Sequence, residues 1–168
     1  VGIMLMEESL DTGPVLLQEK VRIDEQDTAI GLENKLSHLS ADLIKRSLNI
    51  IRNGNIKDNK LDIKSLPLIS QNNLNQEISY ARLINKDDYI INWSDRTINI
   101  HRKVMGLHPN SYTSYRGKRL KILRTQFISN ELLNQVSPLY QKYITGEEIN
   151  NLKNGTIITE IASKGIIV

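Results

Sequence analysis

The sequence predicts an α/β segment followed by a small β-barrel-like domain, both incomplete. Three observations lead there. Two short apolar runs feed a long amphipathic helix in the first third. A basic stretch of alternating apolar and charged residues follows Pro109. Both ends of the chain sit inside apolar runs, "VGIMLM" and "GIIV", whereas natural ends are usually polar and frayed. The 168 residues are therefore read as an interior piece of a longer protein. A sheet cut in this way exposes edges, so modest stability is expected.

Residues 2–6 and 14–23 predict two strands joined by the loop 7–13, with Gly13-Pro14 marking the turn. Asp27 or Thr28 can cap the helix that follows. Leu32, Leu36, Leu39, Leu43 and Ile50 recur at spacings of three, four or seven, which is one face of a helix. Asn53-Gly54 ends it, with Gly54 suited to a left-handed cap. Residues 55–79 lack periodicity and read as a linker or wrapping segment, with a boundary around 72–79. Ser94 is positioned to cap a helix over 95–105, with Gly106 at its end. Residues 111–115 and 119–128 predict a hairpin turned at Arg116-Gly117-Lys118. Leu120 and Ile122 alternate with Arg119 and Lys121, giving one apolar and one basic face. Residues 129–145 read as irregular, 146–149 as a short helical turn, and 155–161 and 166–168 as strands. Trp93 reads as a core anchor.

Composition narrows the chemistry. There is no cysteine, which excludes disulfides, thiolate zinc sites and a Cys nucleophile. No run of 18 apolar residues and no targeting peptide is visible, and a cytoplasmic location is expected. The net charge of +3 hides an asymmetry. Between Trp93 and Ile128 stand eight Lys or Arg against the single acid Asp95. The remainder holds fourteen bases and eighteen acids. Such a block suits an anionic partner, nucleic acid first, against the plainer reading of a solvated basic face.

Asp11-Thr12-Gly13 raises the chemical question. A retroviral-type aspartic protease uses this triplet, but its chain is almost all β, and here a long helix follows. A plain turn is the stronger local reading, because Asp favours loops whose N–H groups its carboxylate can accept.

The triplet has a wider context. The string "GIMLMEESLDTGPVLLQEKVRI" resembles the end of the catalytic domain of the formyltransferases that use 10-formyltetrahydrofolate, and the match runs on through the helix and "RNG". "ISYARLINKDDYIINWSDRTINIHRKVMGLHPNSYTSYRGKRLKI" is similar to the linker and C-terminal domain of the branch of that family acting on initiator methionyl-tRNA. The resemblance implies a Rossmann-like catalytic portion over 1–71, a linker over 72–92, and an OB-like tRNA-binding barrel over 93–168.

It also implies roles. Asp11 matches the catalytic aspartate, whose partner Asn and His would lie before Val1. None of His38, His101 or His108 matches that His, and His38 is placed at the rim of its helix's core face. Glu8, Ser9, Leu10 and Asp11 would line the folate pocket. Arg102, Lys103, Arg116, Lys118, Arg119, Lys121 and Arg124 would contact tRNA phosphates. Tyr112 and Tyr115 are candidates for base stacking, with packing inside the hairpin favoured. "SYRG" at 114–117, a string like one upstream in the family, is coincidence. The implied protein is a monomer without a metal. The alternatives are a formyltransferase for another amine, such as a sugar nucleotide, and a non-catalytic RNA-binding module.

Overall fold

The computed structural model describes residues 1–9, 12–73, 79–146, 148 and 151–168. The chain divides into two compact units, Val1–Leu83 and Ile84–Val168.

In the first unit, β1 (Gly2–Met4) pairs antiparallel with β2 (Val15–Gln18), with Ile3 opposite Leu17. Both strands are shorter than the apolar runs predict, because the polar residues beyond Gln18 leave the pairing. α1 (Ala29–Arg52) packs across the two strands. Leu43 is fully buried, and Val15 and Leu16 are buried on the sheet. Ser47 is also buried on the helix, where its hydroxyl donates to the Leu43 carbonyl at 2.7 Å. This local bond satisfies a polar side chain on an apolar face.

Thr28, not Asp27, caps α1: its Oγ1 accepts from the Gly31 N–H at 3.1 Å. Asp27 instead accepts from the Asp24 N–H at 2.9 Å and pairs with Lys35 at 2.7 Å. At the other end Gly54 is not the left-handed cap. Asn53 occupies the C-cap with φ −92°, and a Cβ on Gly54 would stand 2.7 Å from Leu61 Cδ1. Glycine is needed there for space.

The stretch after α1 is more ordered than its composition suggests. β3 (Ile56–Lys57) and β4 (Lys60–Leu61) form a hairpin. Its turn residues Asp58 and Asn59 have φ of 51° and 60°, the left-handed pattern of a type I′ turn. The chain then returns to the first sheet, where Val15 and Ile69 exchange both backbone hydrogen bonds at 2.8 and 2.9 Å. β2 thus lies between β1 and the segment at Ile69. Residues 74–78 of the expected boundary lie outside the described residues.

In the second unit, α2 spans Thr97–Gly106. Ser94 does not cap it: Arg96 holds the N-cap position without a side-chain bond, and Gly106 falls inside the helix. β5 (Tyr112–Tyr115) and β6 (Lys118–Lys121) form the predicted hairpin. β6 stops at Lys121, short of the run ending at 128. The backbone of Ile91 bonds to Tyr112 on the opposite edge of β5. Residues 129–145 are not irregular: α3 (Asn130–Leu133) is capped by Ser129, and α4 (Pro138–Thr145) starts on a proline at its first turn. β7 (Thr159–Ile161) and β8 (Gly165–Ile167) pair as a third hairpin-like sheet within this half of the chain's strands. Glu147 and Ile149 of the expected helical turn lie outside the described residues. The core gathers Ile91, Val104, Met105, Val136 and Ile167, with His101 and Ser111 buried among the polar groups.

Among the described residues, the strands of both units pair as separate two-stranded sheets, and no closed barrel is formed. No described helix is long and apolar enough to cross a membrane.

The Asp27 cluster gives a pH dependence. The Lys35 ammonium and then the Asp24 N–H hold the Asp27 carboxyl below the ordinary carboxylate range. A depressed acid stabilises the fold above its unfolded pKa and loses that contribution as pH falls through the folded one. Asp27→Asn is expected to lower the urea midpoint near pH ~7 and to match the parent sequence below about pH 3. A difference that persists unchanged into acid contradicts this role.

Candidate functional site

Two surfaces carry groups that can act on a ligand. The first is the loop 7–13 of the first unit. Its base is closed by Leu5 N–H donating to the Pro14 carbonyl at 2.9 Å. Gly13 is buried at this crossing, and a Cβ there would lie 1.7 Å from the Leu5 carbonyl oxygen. No other residue fits without moving the backbone. The Gly13 carbonyl accepts from Gln71 Nε2 at 2.8 Å, so the segment that pairs with β2 also fixes the loop's exit. The Thr12 hydroxyl lies 3.1 Å from the Ser9 carbonyl and 3.2 Å from the Glu7 carboxylate, drawing the loop together.

Each part of the Asp-Thr-Gly triplet therefore has its own task locally. Glycine permits the crossing and threonine ties the loop. Glu8 and Ser9 are exposed, as a ligand-contacting loop requires. Asp11 and Leu10, the expected catalytic and pocket residues, lie outside the described residues. The sequence reasoning passed over Thr12 and Gln71. Thr12 was visible inside the motif; Gln71 acts across 58 residues and leaves no local signal.

The second surface is the β5–β6 hairpin with α2. Arg116 and Gly117 form its turn with φ of 51° and 75°, again the I′ pattern. The register sets Lys121 opposite Tyr112, Arg119 opposite Ser114, and Lys118 opposite Tyr115. Every strand cation thus lies on β6 and faces a hydroxyl-bearing residue, so no two like charges sit directly across the ladder. Tyr112, Ser114, Arg119 and Lys121 share one face. Thr113 and Leu120 share the other, where Thr113 Oγ1 accepts from Trp93 Nε1 at 3.0 Å. Trp93 is half-buried and is covered by Gly155, whose φ is +82° and whose added Cβ would come within 2.7 Å of the indole.

Arg102, Arg116, Lys118, Arg119, Lys121 and Arg124 are exposed. Lys103 is half-buried, and its ammonium donates to the Ile90 carbonyl at 3.0 Å. Among the described residues, Arg102, Lys103, Arg116, Lys118, Arg119 and Lys121 have no carboxylate partner. The tyrosines do pack within the hairpin: the Arg119 guanidinium carbon lies 3.8 Å from the Tyr112 ring centre, and that of Arg116 lies 5.2 Å from Tyr115.

The histidines have structural surroundings. His38 is exposed on α1. Buried His101 pairs through Nδ1 with the Thr125 hydroxyl at 2.9 Å and packs against Phe127. His108 Nδ1 donates to the Leu123 carbonyl at 2.9 Å. Among the described residues, no group of three or more His, Asp or Glu is placed to hold a metal ion.

A glycine-gated loop on an α/β unit, followed by a unit with an unpaired basic hairpin, matches one class of enzyme. The family model of the formyl transferase C-terminal domain matches residues 83–168, and the formyl transferase model matches residues 1–48. The chain belongs to the formyl transferase family. A Prochlorococcus marinus protein named methionyl-tRNA formyltransferase is 40% identical over 170 residues, covering 100% of this chain and 49% of its own length. A second strain's protein of that name is 40% identical over 168 residues, covering 100% and 48%. A Synechococcus relative of the same name is 38% identical over 168 residues, covering 100% and 50%. The chain spans about half the length of the curated relatives it matches.

The loop's dependence on glycine is testable. Gly13→Ala is expected to cost about 2 kcal/mol or more, because backbone must move to admit the methyl group. Urea denaturation checks it, and a variant as stable as the parent sequence would show that Leu5 does not cross there.

Proposed function

We propose that a full-length protein carrying this sequence transfers the formyl group of 10-formyltetrahydrofolate to the amino group of initiator methionyl-tRNA. The observation that carries this reading is the 40% identity, over the whole chain, to a protein named for that reaction. In formyl transfer the amine nitrogen attacks the formyl carbon, and a tetrahedral oxyanion forms. The bond from that carbon to folate nitrogen then breaks, and the folate nitrogen takes a proton while the amine loses one. Asp11 serves this exchange as a carboxylate that orients a water, accepts the amine's proton through it, and stabilises a cationic imidazole. The Asn and His that complete the site are not in this sequence. Glu8, Ser9, Leu10 and Asp11 line the folate pocket, largely through main-chain groups. The Gly13 crossing and the Thr12 hydrogen bonds support the reading, since they hold this loop in one shape.

The second unit binds the acceptor. Arg102, Lys103, Arg116, Lys118, Arg119, Lys121 and Arg124 neutralise tRNA phosphates, which positions the RNA without reading its sequence. Residues 93–168 form an OB-like tRNA-binding domain in this reading, 72–92 the linker, and 1–71 the end of the catalytic domain. The protein works as a monomer, in the cytoplasm, and needs no metal. The lack of carboxylate partners around the strip supports a polyanionic acceptor over a small amine such as a sugar nucleotide.

Asp11→Asn in the full-length protein is expected to lower kcat for formyl-methionyl-tRNA by about 100-fold or more, with folate affinity little changed. Near-normal turnover would remove Asp11 from the chemistry.

A further inference from the structure

The basic strip is more than a set of point charges, because one of its cations is held flat against an aromatic ring. The Arg119 guanidinium carbon stands 3.8 Å from the centre of the Tyr112 ring, a separation at which the flat group lies against the ring face. Three features fix this pair. The register places both residues on one hairpin face, one pair apart diagonally. The left-handed turn at Arg116-Gly117 locks that register. The Tyr112 carbonyl is tied to the Ile91 N–H at 2.9 Å on the outer edge of β5. Tyr112 is half-buried, whereas Arg119 is exposed and has no carboxylate partner among the described residues.

A guanidinium has two flat faces and its N–H groups in the plane between them. The ring covers one face and leaves the other for a second flat group, while the in-plane donors remain able to reach phosphate. Arginine planes and aromatic rings are the surfaces on which unstacked RNA bases settle. Ser114, opposite Arg119, is small and exposed and leaves the approach open. Lys121 stands on the same face to neutralise a neighbouring phosphate. The looser Arg116–Tyr115 pair, at 5.2 Å beside the turn, lacks this arrangement.

We propose that the Tyr112–Arg119 stack is a platform for one unpaired RNA base, so that this hairpin face selects single-stranded or splayed-out RNA over duplex backbone. The proposal rests on the tRNA reading above and adds a base contact to a surface otherwise assigned to phosphates. Lysine in place of Arg119 keeps the charge and removes the plane, which separates the two roles.

The experiment uses the full-length protein with three probes: methionyl initiator tRNA, a single-stranded RNA oligonucleotide, and the same oligonucleotide in duplex. Affinities are measured over a salt series for the parent sequence, Arg119→Lys, Arg119→Ala and Lys121→Ala, each checked by its melting temperature. Arg119→Lys is expected to weaken tRNA and single-strand binding about 5- to 100-fold, with an unchanged salt slope and unchanged duplex binding. Lys121→Ala is expected to weaken all three and to reduce the slope by about one phosphate's worth. If Arg119→Lys binds like the parent sequence while Arg119→Ala weakens with a smaller slope, Arg119 is a phosphate contact and the platform is refuted, with the tRNA reading intact. If the parent sequence itself binds no tRNA, the tRNA reading fails and takes the platform with it.

Discussion

Positive charge gathered on one hairpin and one helix, without carboxylates to answer it, is the constraint around which the second unit is arranged. Two such charges at about 7 Å repel by roughly 0.6 kcal/mol in water. The strip is tolerable because its strand cations lie on one strand, opposite Tyr112, Ser114 and Tyr115. The scaffold holds the charges in place against that repulsion. Trp93 grips Thr113 from the opposite face, Gly155 lets the chain pass over the indole, and Arg116-Gly117 supplies the turn. The first unit treats its cations differently. Lys35 bridges Asp24 and Asp27, and Arg46 bridges Glu19 and Asp42. Cations paired in one unit and unpaired in the other mark which one is prepared for an anionic partner.

The first unit solves a problem of precision rather than charge. A loop that presents groups to a reacting centre must hold them within a fraction of an ångström. Here the loop is pinned by contacts of very different reach. Leu5 to Pro14 closes its base, Thr12 bonds within it, and Gln71 arrives from the far side of the long helix. The polar segment after α1 therefore works as a brace: through Ile69 it extends β2, and through Gln71 it holds the carbonyl of Gly13.

Local patterns were legible in the sequence where a single periodicity or turn decides the structure. The leucine spacing gave α1 and its core residue Leu43, and Arg116-Gly117 gave the hairpin. Legibility failed where distant pairing or a crowded atom decides. Residues 55–73 read as a linker because their strands are two residues long and their order comes from a partner at Val15. Gly54 read as a dihedral requirement and is a steric one. Ser94 had the right chemistry for a cap but stands two positions too early for the helix that forms. Residues 129–145 concealed two helices because each is too short to show a full hydrophobic stripe. The basic strip was legible as charge, yet the stack of Arg119 on Tyr112 needed the register.

The identity of the formyl acceptor tests the whole scheme most directly. A full-length protein would be given a formyl-labelled tetrahydrofolate donor, with initiator methionyl-tRNA and an amino-sugar nucleotide competing in one reaction. Label recovered on methionyl-tRNA, at a rate that falls with added salt, is the predicted result. Label recovered on the sugar nucleotide, indifferent to salt, would contradict the assignment of the basic hairpin to tRNA.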